Sequence, residues 1–458
     1  MIKRQRIKNL GLLQCALAFI TICSTVGAVL TYVFTEGYYP DTLIGITGTI
    51  ILLLMGLCFY IFTQKKEIVD HKNTLFLLFF IYHVILVAFI LTSKLSFYLL
   101  PIAIAGMLIA LLLDTQLAII VNGILAILAS LLSLEFNWHI LIFYLVSGTM
   151  ASLLIHHTKL RRNIVWIAIT LMATNGFLVV FIKLIVGETP IGIDILYALL
   201  NAAFSIILTV GSLPLWEALF EVVTPLKLLE LSNSDQKLIK RLLIEAPGTF
   251  HHCQLVANLA ETASTDIGGD YLLARAGALY HDIGKLKNPH MFKENQSGEN
   301  PHDTLEPDES ARVIIDHVAY GIKLANDYKL PKSIISIIEQ HQGTTLVKYF
   351  YHKAKENNAT EIVEEKEYTY KGPTPQSNEA AIVMLADSVE AAVRCIPQKE
   401  KSLQNIEITI KKIIKMKLEE GQLENSDLKI KELNSISDAF LKVYKGMYHE
   451  RIDYPKEA

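Results

Sequence analysis

The residues best able to do chemistry are His281-Asp282-Ile283-Gly284-Lys285, which place an imidazole, a carboxylate and an amine within five positions. Eight of the fourteen histidines lie between His251 and His352, under a quarter of the chain. Taken singly, each is an ordinary hydrogen-bonding residue. His252, His281, Asp282, His317, His341 and Asp387, however, all sit on or at the end of a predicted helix, and apolar neighbours turn most of them inward. Burying them together without a metal would leave charges unpaired, at a cost of several kcal/mol per ion. A metal centre resolves the conflict. The mixed nitrogen and oxygen donors suit Fe, Mn or, less specifically, Zn, and Cys253 as the only nearby thiol argues against a structural zinc site. The adjacent pair His281-Asp282 can serve two metals if the carboxylate bridges them. Two-metal sites activate water and clamp the attacking and leaving oxygens at phosphorus, so phosphoester hydrolysis is the expected chemistry.

The elements that must position these groups are helices. Val256, Leu259, Ala260 and Ala263 recur at helical spacing after His252, and Leu272, Leu273, Ala276 and Leu279 lead into His281. Val313, Ile314, Val318 and Ile322 flank His317; Ile334, Ile335, Ile337 and Ile338 precede His341; Ile382, Leu385, Ala386, Val389 and Val393 surround Asp387. β-branched alternation is almost absent, so this half is expected to be all-α. A mixed-charge stretch from Tyr351 to Pro375 reads as an exposed loop. A helical pattern after Ser234 stops at Pro247-Gly248, and further amphipathic helices follow Ser402, with a polar Pro455–Ala458 at the end.

Upstream the composition changes. The chain has 52% apolar and only 19% charged residues, and the charges thin out between Leu10 and Phe220, which is the pattern of a membrane protein. Lys3, Arg4, Arg6 and Lys8 precede an apolar run over 9–34 that is too long for a signal-peptide core and is read as a retained anchor. Further runs fall at 43–63, 73–92, 97–113, 116–134, 139–155, 164–186 and 195–220, giving eight predicted spans. Basic residues mark alternate loops: the N-terminal cluster; Lys65, Lys66 and Lys72; Lys159, Arg161 and Arg162. Little beyond Lys94 lies between them. By the positive-inside rule the N-terminus and the aqueous half are cytoplasmic. His83, Asn175 and Lys183 are read as helix–helix hydrogen bonding, with Lys183 reaching the outer interface. Pro225 is expected to break or kink the helix leaving the bilayer, and Leu226–Leu231 to be a short amphipathic segment. Five scattered cysteines without a CxxC pair fit a reducing compartment. A net charge of -3 provides no basic field, which excludes bulk nucleic acid as a partner.

His-Asp-Ile-Gly-Lys at 281–285 resembles the signature of HD-superfamily phosphohydrolases. The ordered set Glu-Ala-Pro-Gly-Thr-Phe-His-His at 245–252, Glu-Asn-Gln at 294–296, Asn-Pro-His-Asp at 300–303 and Leu-Ala-Asp-Ser-Val-Glu-Ala-Ala at 385–392 is similar to the seven-transmembrane HD family, whose PgpH-type members are cyclic-di-AMP phosphodiesterases. The resemblance implies one span, an external domain and seven more spans before a cytoplasmic HD domain. Here only Thr35–Thr42 would stand for the external domain. The implied domains are 1–220 transmembrane, 221–235 linker, 236–397 HD phosphohydrolase and 398–458 C-terminal helices packed on it.

By the same resemblance His252, His281, Asp282 and Asp387 would hold one divalent transition metal, and Asp282, His317 and His341 a second, Fe or Mn in each case. The family commonly has a second histidine directly after the position of His341; this chain has Gln342, a poorer metal ligand, so the second site is expected to be altered. Lys285 is expected to neutralise a phosphate oxygen beside Asp282 or to end its helix in a salt bridge. Thr344 and Arg394 are candidate substrate contacts, and His251, His290 and His302 are supporting or loop residues. The expected protein is a multi-pass enzyme of the bacterial inner membrane, surrounded by lipid, that converts cyclic-di-AMP to pApA. A homo-oligomer is compatible with that reading. Gln342 and the short external loop also motivate the rival one, a membrane receptor whose HD domain binds nucleotide or a partner protein without turnover.

Overall fold

A computed structural model describes residues 2–35, 39–65, 68–69, 72–92, 96–133, 136–156, 161–190, 192–357 and 363–447. Lys66, Lys94, Lys159 and the polar tail Pro455–Ala458 therefore lie outside the described residues. The chain divides into two compact units, Met1–Thr224 and Pro225–Ala458. The described residues are helical apart from turns, loops and one isolated bridge between Leu346 and Thr369.

The first unit contains α1 (Ile2–Thr35), α2 (Pro40–Gln64), α3 (Lys72–Thr92), α4 (Ile102–Leu112), α5 (Thr115–Leu131), α6 (Trp138–His156), α7 (Arg161–Val186) and α8 (Gly192–Phe220). Six of these are long and apolar enough to cross a membrane: α1, α2, α3, α6, α7 and α8. The predicted spans over 97–113 and 116–134 correspond instead to shorter apolar helices, Phe97–Leu112 and Thr115–Leu131. The shortening has a local cause. Leu113 leaves the helical region at φ -132°, and Asp114 caps α5 by accepting from the Leu117 N–H at 2.8 Å. The chain is a multi-pass membrane protein.

Polar groups inside this unit join helices. Asn122 donates to the Tyr144 carbonyl at 3.1 Å, Asn175 to Ala198 O at 3.3 Å and Asn201 to Leu100 O at 2.6 Å. Small residues permit the approach: a Cβ on Gly148 would stand 1.8 Å from Asn122 Oδ1. His83 meets Ser24 Oγ at 2.6 Å, while Lys183 pairs with Glu188 at 2.7 Å and Asp194 at 3.3 Å. The expected helix-joining role of these residues agrees with their contacts. Only residues 36–39 separate α1 from α2.

Helix α8 carries Pro214 inside it and ends at Phe220, where Glu221 adopts φ 55°, so it stops before Pro225 is reached. Pro225 therefore does not break that helix; it opens the next one, α9 (Pro225–Leu231), where its missing N–H costs nothing. The second unit continues with α10 (Lys237–Glu245), α11 (Pro247–Asp266), α12 (Tyr271–Tyr280), α13 (Pro307–Asp327), α14 (Lys332–Gln340), α15 (Lys348–Asn357), α16 (Asn378–Arg394), α17 (Leu403–Glu419) and α18 (Ile430–Met447). Helix α11 packs against α12, α16 and α18, and α17 packs against α16. The segment read from sequence as an exposed loop, 351–375, is exposed at 355–357 and 364–367 but not throughout, and its residues 358–362 lie outside the described residues. Tyr351, Tyr368 and Tyr370 are buried, with the first two packed in a cluster around Phe350 and Ala354. Three aromatic rings gain enough from burial to outweigh the charged residues between them.

Candidate metal centre

Each candidate ligand is placed by a helix or by the turn that ends one. His252 lies on the inward face of α11 with Val256, Leu259 and Ala263. His281 caps the C-terminus of α12, Asp282 follows it, and the chain then tightens into a 3-10 turn over Ile283–Lys287. His317 is on α13, His341 caps α14, and Asp387 lies in the middle of α16. Gly284 is required here because a Cβ would stand 1.7 Å from the His317 carbonyl oxygen and 2.7 Å from Gly321 N. That approach brings the Asp282 turn directly against α13.

The ligand atoms form two groups that share Asp282. His252, His281, Asp282 and Asp387 make one group and Asp282, His317 and His341 the other, each with its ligand atoms within 4.8 Å of one another. Asp282 Oδ2 faces His281 Nε2 at 3.2 Å and His252 Nε2 at 3.4 Å, and Asp387 Oδ1 lies 3.1 Å from His252 Nε2. The other oxygen, Asp282 Oδ1, faces His317 Nε2 at 3.3 Å and His341 Nε2 at 3.7 Å.

The imidazoles are oriented from behind. His281, His317 and His341 each donate Nδ1–H to the carbonyl three residues earlier, at 2.6, 2.5 and 2.8 Å, while His252 Nδ1 meets Glu390 Oε2 at 2.6 Å. With Nδ1 as donor, every Nε2 presents a lone pair to the centre. His317 Nε2 and His341 Nε2 then oppose each other at 3.2 Å. His252 Nε2, His281 Nε2 and Asp282 Oδ1 are buried without a hydrogen-bond partner. Converging lone pairs and shared carboxylates are what a divalent cation satisfies, so the residues fit a pair of transition metals.

Without a cation, protons on His252 and His281 balance the carboxylates in its place. Burial alone would raise the Asp282 carboxyl, but Lys285 and His281 outweigh it and hold the group well below the carboxylate range. Burial likewise opposes ionisation of Asp387, and its contacts with His252 and His281 overcome that. His252 and His281 are pushed down by burial, yet the surrounding carboxylates hold both well above the ordinary imidazole value. His341 behaves differently: burial dominates and lowers it to about 4, which keeps its nitrogen unprotonated and available as a ligand.

Lys285 Nζ lies 2.7 Å from both Asp282 Oδ2 and Glu294 Oε1, so the amine is held against the centre by two carboxylates. Gln342 sits beside His341, and its amide donates to Asp387 Oδ2 at 2.8 Å. Two other candidates have side-chain partners of their own. Thr344 N and Oγ1 both bond Gln422, and Arg394 pairs with Glu390 at 3.6 Å while remaining 40% exposed. His302 bonds the Met291 carbonyl through Nε2 at 2.8 Å. Glu390 and Glu294 were missed as site residues, although both lie inside motifs that the sequence singled out, at 385–392 and 294–296. The signal for Glu390 was its spacing, three residues after Asp387 on one helix face. A cavity of about 220 Å³ lined by Asp316, Glu339, Gln342, Tyr370 and Lys371 adjoins this region.

Residues 41–224 match the family described as 7TM receptor with intracellular HD hydrolase, and residues 249–392 match the HD domain. The first stretch holds α2 to α8 and the second holds all six candidate ligands. Together the two matches are the two parts which that description names, a seven-transmembrane region and an HD hydrolase. It is 39% identical over 433 residues to the cyclic-di-AMP phosphodiesterase PgpH of Bacillus subtilis, covering 90% of this chain and 60% of that protein. It is 36% identical to the PgpH of Listeria monocytogenes, covering 89% of this chain and 58% of that protein. The chain thus spans about three-fifths of the length of these relatives. Among solved structures, the HD domain of the L. monocytogenes PgpH in complex with cyclic-di-AMP is 45% identical, covers 48% of this chain and all of that one, and has a TM-score of 0.45.

Proposed function

We propose that this protein is a membrane-bound, metal-dependent phosphodiesterase that opens a cyclic dinucleotide, cyclic-di-AMP to pApA. The observation that carries this reading is the single buried carboxylate of Asp282, which turns one oxygen to each of two ligand groups. The activity for which the two PgpH relatives are named supports the choice of substrate. In this reading His252, His281, Asp282 and Asp387 hold one metal, and Asp282, His317 and His341 hold the other; Fe and Mn suit the donor set. When bound, such a pair supplies water activation and charge neutralisation at phosphorus. The chain's own groups do the rest. Asp282 fixes the spacing of the two positions, and Glu390 and the α12, α13 and α14 carbonyls aim the imidazoles. Lys285 places an ammonium beside Asp282, where it can balance charge on a bound phosphate without reorganising.

The proposed topology places α1 to α8 as eight spans of a bacterial inner membrane, with α4 and α5 the short pair and the second unit cytoplasmic. The proposed domain limits are 1–220, 221–235, 236–397 and 398–458. One assay tests the activity: turnover of cyclic-di-AMP, cyclic-di-GMP and simple nucleotides by the full chain, with bound metals quantified. Intact cyclic-di-AMP after incubation with normally metallated protein would overturn the hydrolase reading. The bond from Gln342 to Asp387 favours a second reading, a receptor that binds nucleotide without turnover, because it ties up a carboxylate oxygen at the centre. About two metals per chain would argue for catalysis, and one or none for the receptor.

A further inference from the structure

The turn that carries His341 and Gln342 is held from outside the matched HD domain. The domain match ends at residue 392, and α17 begins at Leu403. Two side chains from the end of α17 and the turn after it, Lys417 and Gln422, are 3% and 4% exposed, unusual burial for such polar groups. Both are directed at residues 344–345. Gln422 Oε1 accepts from the Thr344 N–H at 3.0 Å, and Gln422 Nε2 donates to Thr344 Oγ1 at 3.0 Å. Lys417 Nζ donates to Thr345 Oγ1 at 2.8 Å, and among the described residues no carboxylate ion-pairs with it.

The turn itself needs this support. Gly343 adopts φ 55°, and a Cβ there would stand 2.3 Å from Gln422 Oε1 and 2.8 Å from Met384 Cε, so the backbone passes very close to the Gln422 amide. Inside the turn the Gly343 N–H bonds Gln340 O and the Thr345 N–H bonds Gln342 O. The C-terminal side is tied by Tyr370 N–H to Thr345 O at 3.0 Å. His341, at the start of the turn, is anchored behind by its Nδ1 bond to Ile338 O. A lysine buried beside one hydroxyl loses much of its solvation, and burial accordingly lowers its pKa. Such a residue is costly for stability alone.

We propose that Lys417 and Gln422 form a polar latch through which the C-terminal helices set the position of the His341–Thr345 turn, and hence the occupancy of the second metal position. The metal half of this inference rests on the two-metal reading above. Lys417 and Gln422 are positioning residues: they touch neither ligand atoms nor substrate. The latch makes α17 and α18 part of the working site, and it places regulation of the second metal where another molecule or a modification of the C-terminal helices can act.

The test uses the full chain in detergent with Mn as the probe. Gln422→Ala should speed amide exchange across 341–345 about ten-fold, from the loss of the bonds to Thr344. It should also weaken binding of one Mn, and not the other, by about 10–100-fold, the usual effect of removing a ligand's outer support. Lys417→Met should do the same, whereas Lys417→Arg, which keeps a donor for Thr345, should restore both values. Circular dichroism and the melting temperature identify a variant that fails to fold, in which case Thr345→Val, which removes only the hydroxyl partner of Lys417, takes its place. Unchanged exchange in these variants, or faster exchange with both Mn affinities intact, overturns the latch. Wild-type protein that binds no Mn overturns the two-metal reading and with it the metal half of the inference, while the exchange measurement still decides whether the turn is latched.

Discussion

Asp387 shows how much a single substitution changes at this centre. One oxygen lies 3.1 Å from His252 Nε2, and the other accepts from the Gln342 amide at 2.8 Å. An imidazole at 342 would release that second oxygen and add a ligand nitrogen next to His341. Gln342→His is therefore expected to raise the second metal's affinity and bring the bound content closer to about two per chain; inductively coupled plasma analysis at limiting metal measures it. Asp282→Asn removes the charge that both groups share and should abolish turnover and most metal binding together, read by the same analysis. Glu390→Gln keeps a hydrogen-bonding group for His252 Nδ1 but not its charge. It should weaken metal binding by about 10–100-fold with little change in melting temperature. The candidate ligands could be named from sequence because histidines and carboxylates are rare inside apolar periodicity. Glu390 and Glu294 could not be separated from surface acids, since only folding shows that one meets His252 and the other Lys285.

At the scale of elements, the site depends on close backbone approach more than on helix propensity. Gly284 lies against α13 and Gly248 against the Glu294 carbonyl, where a Cβ would stand 1.8 Å away. Gly284→Ala must push α13 from the Asp282 turn, so a loss of at least about 3 kcal/mol is expected, measured by chemical denaturation of the second unit. Helix α9 makes a different kind of contact. Tyr280, the residue before His281, is buried and donates from its hydroxyl to the Leu231 carbonyl at 2.9 Å. Tyr280→Phe leaves that carbonyl unpaired and should cost about 1 kcal/mol. A larger effect on turnover than on stability would show that α9 bears on the metal centre. Sequence placed the helices well, because their apolar residues recur at 3.6-residue spacing. It misplaced the role of Pro225 and treated 351–375 as solvated, since aromatic burial there depends on partners distant in the chain.

The whole molecule is two units with different solvents, a membrane bundle of apolar helices and a helical unit built around buried charge. His317 Nε2 and His341 Nε2 oppose each other in the absence of a cation, so stripping metal with a chelator should lower the melting temperature of the second unit. At a metal concentration of 100 times the dissociation constant, bound metal adds about 2.7 kcal/mol, and scanning calorimetry with and without Mn measures the difference. The sequence by itself determined that the chain is helical, that its first half belongs in a membrane and its second half carries a histidine and carboxylate centre, because periodicity, span length and residue type are local properties. Only the tertiary structure decided how those residues combine. It turned the two oxygens of Asp282 to separate ligand groups, set Gln342 on Asp387 and brought Lys417 and Gln422 from far along the chain to the His341 turn. Those pairings depend on packing between helices, where distance along the chain does not fix distance in space.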